Sequence, residues 1–437
     1  MNRSALVCVA CGWQAATDAR YPFACAHRGQ GDGEHLLEHR LARDAVLDRH
    51  DSANPFVRFR ETLYAWHAAR ARGWSDADFV GLVQRLDEAI ARVDGHGFTI
   101  TPFGPAPALG SHLGLDLWIK DETHNVAGSH KARHLMGLLL YLAVVEGGPG
   151  GVAAGELPPL AIASCGNAAL AATVLARAAA RPLQVYVPPD AEGAVLDRLS
   201  ALGATVVVCP RLPGEQGDPC MRHLRQALAQ GALPFCCQGN ENGLTIDGGQ
   251  TLLLETLTCG APPLDHLVVQ VGGGALASAC VQACARALEH GLVPRVPRVH
   301  VVQTQGAAPL ARAWARVQQR MASQAESAAA ALAYAAAHRS QFMWPWEAPP
   351  HSVASGILDD ETYDWLAILR GLAATDGSSV VVDEDTLKLA NRLVHQTTAI
   401  TPSHTGSAGL AGLLQLQRQG TVAPGNRVGV LLTGVQR

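Results

Sequence analysis

The chain has few charged residues and no run of basic ones. Charged side chains make up 16% of its 437 residues, against about 25% in typical soluble domains. The formal net charge is −4, so the sequence lacks the basic surface that nucleic acids and acidic membranes attract. We therefore expect a small-molecule partner, with no nucleic acid and no membrane.

Long apolar stretches are missing as well. No uninterrupted apolar run reaches the ~18 residues of a membrane span, and the first apolar run ends at Gly12, which is short for a secretory signal. The cysteines number eleven and follow no pattern of a small disulfide-bonded domain. These features predict free thiols in a reducing cytoplasm.

The first 40 residues contain a candidate metal-binding pattern. Cys8 and Cys11 form a CxxC pair, and Cys25 and His27 follow after a loop. Three thiolates and one imidazole are a donor set that zinc accepts in a tetrahedron. Cys25 and His27 are one residue closer than the usual second pair, which favours the alternative of a degenerate ribbon without metal.

The remaining chain alternates between helical and strand patterns. Apolar residues fall at helical spacing over residues 54–72 and 75–93, where Ser75 and Asp78 suggest a capping box and Gly95 an end. Seven later segments are continuous, short and rich in β-branched residues, as in strands buried on both faces: LDLWIK, LAIAS, LQVYVP, TVVVCP, HLVVQV, VHVVQ and VGVLLTG. Helical segments between them predict an α/β architecture with parallel sheets. The length exceeds the about 250–300 residues of one core, which leaves room for two domains.

A glycine loop is the first candidate binding segment. Gly272, Gly273 and Gly274 follow an apolar strand and precede a helical segment, so free N–H groups at the helix start suit a phosphate. The same loop fits the GxGxxA pattern of a dinucleotide site. However, the next strand ends at Gln303, where nicotinamide sites place an acid.

Other segments place polar groups at the predicted helix starts. Ser164, Cys165, Gly166 and Asn167 follow a strand, which suits a carboxylate or an ordinary helix cap. Asp247 is expected to cap a loop, and Asp359 and Asp360 to begin a helix. Hydroxyl groups of Ser403, Thr405 and Thr433 could reach one polar atom or act as caps.

Five segments occur together in a recognisable order: KDETHNVAGSHKAR, SCGNAA, DGGQTLLLE, GGGAL and PSHTGSAGLAG. Their order and spacing over residues 99–434 resemble the fold-type-II pyridoxal-phosphate enzymes of the tryptophan-synthase-β-like superfamily, in the threonine synthase and threonine/serine ammonia-lyase branch. The resemblance implies an α/β fold of two domains with mainly parallel sheets flanked by helices, plus a ribbon-like and helical N-terminal extension. The implied boundaries are 1–40 for the ribbon-like segment, 41–130 with 232–437 for a large cofactor-binding domain, and 131–231 for a small substrate-carboxylate domain.

The resemblance also implies roles for individual residues. Lys131 would form the Schiff base with the cofactor and then act as the base. Asn167 would hydrogen-bond the ring hydroxyl, and Thr405, or with less support Ser403, would face the pyridine nitrogen. The phosphate would be held by Gly272, Gly273, Gly274, Ala275, Leu276 and His130, and the substrate carboxylate by Ser164, Cys165, Gly166 and Asn167.

The implied activity is β-elimination or β-replacement on a small amino acid by a cytoplasmic homodimer that uses pyridoxal 5'-phosphate. His130, Ala132 and Cys165 depart from the threonine synthase pattern, which argues against phosphohomoserine as substrate. The alternatives are a module that binds the cofactor or an amino acid without catalysis, and a nicotinamide-dependent oxidoreductase.

Overall fold

The computed structural model describes residues 4–48, 50–147, 156–212 and 217–437. The strands in these ranges are β1 Ser4–Cys8, β2 Leu37–Leu41, β3 Phe103–Pro105, β4 Asp116–Asp121, β5 Leu160–Ala163, β6 Leu183–Val187, β7 Thr205–Val208, β8 Leu233–Pro234, β9 His266–Gln270, β10 Arg298–Thr304, β11 Ser378–Val382 and β12 Arg427–Leu432. The helices are α1 Pro55–Arg58, α2 Tyr64–Ala71, α3 Asp76–Asp94, α4 Pro107–Leu113, α5 Lys131–Glu146, α6 Asn167–Ala178, α7 Gly193–Ala201, α8 Pro219–Ala229, α9 Thr245–Thr258, α10 Ala275–Glu289, α11 Pro309–Gln324, α12 Ala328–Ala337, α13 Trp365–Thr375, α14 Glu384–Thr397 and α15 His404–Arg418.

The larger sheet has six strands in the order β11-β10-β9-β12-β4-β3. All neighbours are parallel except β3, which runs antiparallel to β4 at the edge. In the centre, Val430 pairs with Ile119 on one side and Val268 on the other, and all three are buried. Continuous apolar runs form these central strands because helices cover both faces of the sheet.

The smaller sheet has four parallel strands in the order β7-β6-β5-β8. It uses only residues 160–234 and is separate from the larger sheet. Two parallel sheets flanked by helices confirm the predicted α/β class. The domain boundaries at residues 40, 130 and 231 stay predictions.

Helices α5 and α9 lie against each other in the interior. A Cβ added to Gly137 would lie 2.8 Å from the backbone nitrogen of Gly248, and one added to Gly249 would lie 2.2 Å from Cε1 of His134. Only glycine permits such a close approach of two helices. The expectation that Asp247 caps a loop is wrong, since Asp247 lies inside α9. The close contact fixes the first turns of α5, where Lys131 begins the helix.

The helices that precede the two larger sheets agree in part with the prediction. Ser75 and Asp78 form the predicted capping box of α3, and Gly95 ends that helix with φ 93°. The helix predicted over residues 54–72 is divided into α1, a 3₁₀ turn Arg60–Thr62 and α2. None of the described helices is long and apolar enough to cross a bilayer.

The N-terminal hairpin β1-β2 is joined to the core by a buried polar chain. Nε2 of His39 lies 2.8 Å from Oγ of Ser4, and Nδ1 of His39 lies 2.9 Å from Oδ1 of Asp247. Arg286 of α10 donates to the carbonyl oxygen of His39 at 3.1 Å. Because buried polar groups of this kind are costly to separate from their partners, the hairpin is held firmly against α9 and α10.

Candidate active site

Lys131 is the first residue of α5 and is half-buried. The loop before it turns through Ala127 at φ 54° and Gly128 at φ 66°, both in the left-handed region. A Cβ on Gly128 would lie 2.8 Å from Val435, so the turn requires glycine where it meets the segment after β12. The backbone N–H of His130 donates to the carbonyl of Thr433 at 3.1 Å. These contacts set the position at which the lysine enters the site.

Only three lysines occur in the chain, and their environments differ. Lys120 is fully buried and paired with Glu255, while Lys388 is exposed on α14. Lys131 is half-buried, and its charge lowers the pKa values of Asp359 and Asp364 against the larger effect of burial. Of the three lysines, Lys131 alone is half-buried and acts by its charge on these two carboxyl groups.

The glycine loop connects β9 to α10, as predicted. Gly274 lies at the helix start with φ 100°, and no side chain caps α10. Uncapped N–H groups at a helix start bind anions. The carboxylate of Asp359 already lies against the loop, since a Cβ on Gly272 would be 2.4 Å from its Oδ2. An anion at this place fits the loop.

The segment that covers the loop runs from residue 357 to 364. Oγ1 of Thr362 donates to the carbonyl of Gly272 at 3.1 Å, and the N–H of Asp364 donates to the carbonyl of Gly273 at 3.2 Å. The expectation that Asp359 and Asp360 begin a helix is wrong, because α13 begins at Trp365. Asp359 instead lies beside the glycine loop, with its carboxylate against Gly272 and Gly273.

Two carboxyl groups in this segment are buried enough to hold protons near neutral pH. Burial raises the pKa of Asp359 to about 6, although the charge of Lys131 and the N–H of Gly273 act against it. Burial raises the pKa of Asp364 to about 7, opposed by the N–H of Gly239 and by Lys131. The sequence patterns gave neither residue a role in the site.

Asn167 begins α6, directly after Ser164, Cys165 and Gly166. No side chain caps this helix either, so the ordinary-cap alternative is not what the geometry shows. The amide oxygen of Asn167 accepts a hydrogen bond from Arg437. Arg437 also donates to the carbonyl of Ala127 at 2.5 Å. It thereby joins the start of α6 to the lysine loop.

Cys165 is exposed at this helix start. Desolvation raises the pKa of its thiol, and the carboxylates of Asp190, Asp218 and Asp359 raise it further. Asp359 belongs to the segment over the glycine loop. Loops of the two sheets therefore face each other across the candidate site.

The hydroxyl groups near residue 405 have separate partners. Ser403 caps α15, since its Oγ accepts from the N–H of Gly406 at 3.0 Å. Thr405 Oγ1 accepts from the N–H of Gly356 at 3.0 Å, and Thr433 Oγ1 accepts from Gln270 at 2.8 Å. Ser403 is thus engaged as a cap. Thr405 contacts Gly356, which directly precedes the segment that covers the glycine loop.

Several predicted residues converge near Gly434. Ser129 forms an isolated bridge with Gly434, and the N–H of Ser403 donates to its carbonyl at 3.0 Å. A Cβ on Gly434 would lie 2.6 Å from Nδ2 of Asn167. The lysine loop, the start of α6 and the start of α15 therefore meet at one point.

His130 is buried, and its free ring nitrogen is one of several unsatisfied groups here. Burial holds the pKa of His130 well below its usual range, so the ring is neutral, and Nδ1 lies 3.1 Å from the carbonyl of Thr433. Among the described residues, Ser129 Oγ, His130 Nε2 and Asp364 Oδ2 are buried without a hydrogen-bonding partner, and so are Gln238 Oε1 and Asn240 Oδ1, which flank the Gly239 that lies against Asp364. Such groups are rare unless a ligand or water satisfies them. The residues therefore fit a bound polar group with an anionic end.

The sequence profile described as "Pyridoxal-phosphate dependent enzyme" matches residues 96–434. The chain belongs to this family. Pyridoxal phosphate is the cofactor that membership in the family implies, and it carries the phosphate and polar ring that the glycine loop and the unsatisfied groups suit.

The relatives of this chain are enzymes that carry out different reactions. It is 27% identical over 278 residues to cysteate synthase from Methanoregula boonei, covering 62% of this chain and 60% of that protein. It is 24% identical over 338 residues to threonine synthase from Mycobacterium leprae, covering 76% of this chain and 80% of that protein. The match to cysteate synthase thus spans less than two thirds of that relative.

The structure of maize serine racemase has the same fold. The TM-score is 0.58 at 18% identity, and the alignment covers 80% of this chain and 92% of the racemase. This similarity confirms the fold-type-II architecture predicted from the sequence. The family performs elimination, replacement or racemisation, so membership alone does not name the reaction.

Proposed function

We propose that the chain catalyses pyridoxal-phosphate-dependent β-elimination or β-replacement on a small amino acid. The observation that carries the proposal is that Lys131, the single half-buried lysine, acts by its charge on Asp359 and Asp364, which contact the uncapped glycine loop. The family match supports the cofactor. Localisation in the cytoplasm and assembly as a homodimer remain part of the proposal, the latter to be measured by light scattering.

The proposed roles follow the local geometry. The amine of Lys131 would hold the cofactor and, once released, would remove the proton from the substrate α-carbon. N–H groups of residues 272–276, at the start of α10, bind the phosphate. When bound, pyridoxal phosphate supplies the electron sink for negative charge at the α-carbon. Neutral His130, whose buried Nε2 has no hydrogen-bonding partner among the described residues, would contact the phosphate.

The substrate carboxylate is proposed to bind at the start of α6. The N–H groups there lack a side-chain cap, and Ser164, Cys165, Gly166 and Asn167 surround them. Asn167 would orient the cofactor ring through its amide, and the hydroxyl of Thr405 would face the ring nitrogen. A hydroxyl rather than a carboxylate at this nitrogen would leave it largely unprotonated, which weakens the cofactor as an electron sink.

Gln303 argues against the nicotinamide alternative. Its amide oxygen accepts from the N–H groups of Leu310 and Ala311 at 2.8 and 3.1 Å. The residue is fully buried, and it supplies no carboxylate for a ribose. The end of β10 is therefore occupied by a structural contact.

The test is a panel of amino acids against the purified holoenzyme. Serine, threonine, diaminopropionate, O-acyl-serines and phosphohomoserine are supplied, and ammonia, 2-oxo acid, the D-enantiomer and visible cofactor absorbance are followed together. We expect 2-oxo acid with ammonia, or a replacement product, and loss of both activity and absorbance in Lys131→Ala but not in Lys388→Ala. Production of the D-enantiomer alone would assign racemisation. Cofactor binding with every amino acid unconverted would support the non-catalytic module.

A further inference from the structure

We infer that the N-terminal segment binds one structural zinc ion through Cys8, Cys11, Cys25 and His35. Their donor atoms all lie within 4.8 Å of one another. The fourth donor differs from the one expected from the sequence. His27 has its Nδ1 3.4 Å from Sγ of Cys11, but His35 is the histidine that joins all three cysteines.

Three of the six distances between the donor atoms match those of a zinc tetrahedron. Nδ1 of His35 lies 3.5 Å from Sγ of Cys8 and 3.6 Å from Sγ of Cys25, and Sγ of Cys11 lies 3.7 Å from Sγ of Cys25. Zn–S bonds of about 2.3 Å and Zn–N bonds of about 2.0–2.1 Å at tetrahedral angles separate two sulfurs by about 3.8 Å and a sulfur from a nitrogen by about 3.5–3.6 Å. A disulfide would bring two sulfurs to about 2.05 Å. These three distances therefore match a metal site and not an oxidised pair, and the other donor pairs lie within 4.8 Å.

The backbone presents these donors from three places. Cys8 ends β1, and the turn after it closes through the N–H of Gly12, which donates to the carbonyl of Cys8 at 3.0 Å. Gly12 has φ 71°, the left-handed conformation that follows a CxxC pair most easily when the residue is glycine. Cys25 lies in the loop that connects β1 to β2, and His35 lies just before β2. Metal binding would join the turn after β1, the segment around Cys25 and the residues just before β2.

The type of site follows from the donor count. Four protein donors leave no open position, which is the arrangement of structural zinc and not of catalytic zinc. Cys8 and Cys25 are buried, His35 is half-buried and Cys11 is exposed. Three thiolates with one imidazole favour zinc over harder cations such as magnesium or calcium.

The residue next to His35 connects this cluster to the wall of the candidate active site. Glu34 accepts from Nε of Arg339 at 3.1 Å and from Nε1 of Trp365. Trp365 directly follows Asp364, whose N–H donates to the carbonyl of Gly273. Loss of the metal is therefore expected to loosen Glu34 and, through Trp365, the segment over the glycine loop.

The experiment measures metal content and donor identity in the full chain. Protein purified without chelators and reloaded with zinc should contain one zinc per chain, and cobalt in its place should show the visible bands of tetrahedral thiolate coordination. Cys11→Ser and His35→Asn should each weaken zinc binding at least tenfold in competition with a chromophoric chelator. His27→Asn is the matched control and should retain the wild-type affinity.

Folding is controlled for separately. Cys11 is exposed, so Cys11→Ser removes a donor without opening the core, and far-ultraviolet circular dichroism of each variant checks the fold. The inference is overturned if the reloaded wild-type chain holds no zinc, if cobalt gives octahedral spectra, or if His27→Asn loses the metal while His35→Asn retains it. None of these readouts depends on enzymatic activity, so the proposed function can fail while the zinc site stands.

Discussion

The guanidinium of Arg133 binds the carboxylate of Glu122 side by side, with Nε and Nη2 donating to its two oxygens at 2.8 and 2.9 Å. Arg133 also donates to Oε1 of Glu255 at 2.5 Å and to Oγ1 of Thr251 at 3.1 Å. Lys120 pairs with Glu255, so two cations and two anions are buried together. Arg133 stands two residues after Lys131, and this network holds the first turn of α5 against β4 and α9.

Arg133→Gln is expected to destabilise the protein by about 3–5 kcal/mol, because it leaves buried carboxylates without their main cation. Urea unfolding measures the change. Arg43→Gln is the matched control, since Arg43 pairs with Glu289 at 3.3 Å on the surface with 92% of its side chain exposed, and exposed pairs contribute about 0–1 kcal/mol. If both variants lost the same free energy of unfolding, the buried network would not stabilise the protein more than an exposed ion pair does.

Sequence patterns predicted the parts of the fold that depend on local physics. The seven apolar runs became β4, β5, β6, β7, β9, β10 and β12. Six of these strands are largely buried, as continuous apolar residues predict, whereas β7, at the edge of the smaller sheet, is half-buried or exposed along its length. β11, with sequence SSVVV, was not predicted, because its apolar run has only three residues and follows two serines. The helix α9 was read as a loop because Gly248 and Gly249 are poor helix formers, and only the close contact with α5 explains them.

The residues of the candidate site also fall into two groups, those that a sequence pattern marks and those that it does not. Lys131, Asn167 and the glycine loop lie in short motifs at strand ends, where a sequence pattern can mark them. Asp364 and Arg437 reach the site from distant segments, and no local spacing connects them with Lys131. The choice of His35 over His27 depends on how the loop after Cys25 returns to β2, which the spacing along the chain does not specify.

Gly249→Ala is expected to destabilise the protein by about 1–3 kcal/mol through overpacking. Its Cβ would lie 2.2 Å from Cε1 of His134, and His134 is held by the carbonyl of Thr245 at 2.7 Å. Gly193→Ala is the control, because nothing lies within 4 Å of a Cβ there and the residue begins α7. Addition of His134→Ala should recover part of the loss in a double-mutant cycle, and no recovery would mean that the strain lies elsewhere.

Asp364→Asn is expected to change how the stability of the cofactor-free protein depends on pH. Burial raises the pKa of Asp364 from 3.8 to about 7, so the folded state binds a proton that the unfolded state has released. Between about pH 4 and 7 this group makes the free energy of unfolding fall as pH rises, by up to about 4 kcal/mol. The asparagine variant lacks this slope.

Urea unfolding at several pH values between 5 and 8 tests this. Relative to the wild type, Asp364→Asn should gain stability from pH 5 to about pH 7, and the difference should then level off. Asp197→Asn, on the exposed side of α7, should follow the wild-type curve. A constant difference between Asp364→Asn and the wild type at every pH would show that the carboxyl group does not titrate in this range.

Asp359→Asn is expected to tighten cofactor binding roughly tenfold above pH 6, equivalent to about 1.4 kcal/mol. The carboxylate lies against Gly272 and Gly273, where a phosphate would meet a like charge. Because burial raises the pKa of Asp359 to about 6, the wild type carries that charge above pH 6 and loses it below. Fluorescence titration with pyridoxal phosphate measures the affinity, and Asp360→Asn, the neighbouring acid that does not contact the glycines, should change it less. A weaker affinity in Asp359→Asn would instead mean that this carboxylate helps to hold the loop in its binding conformation.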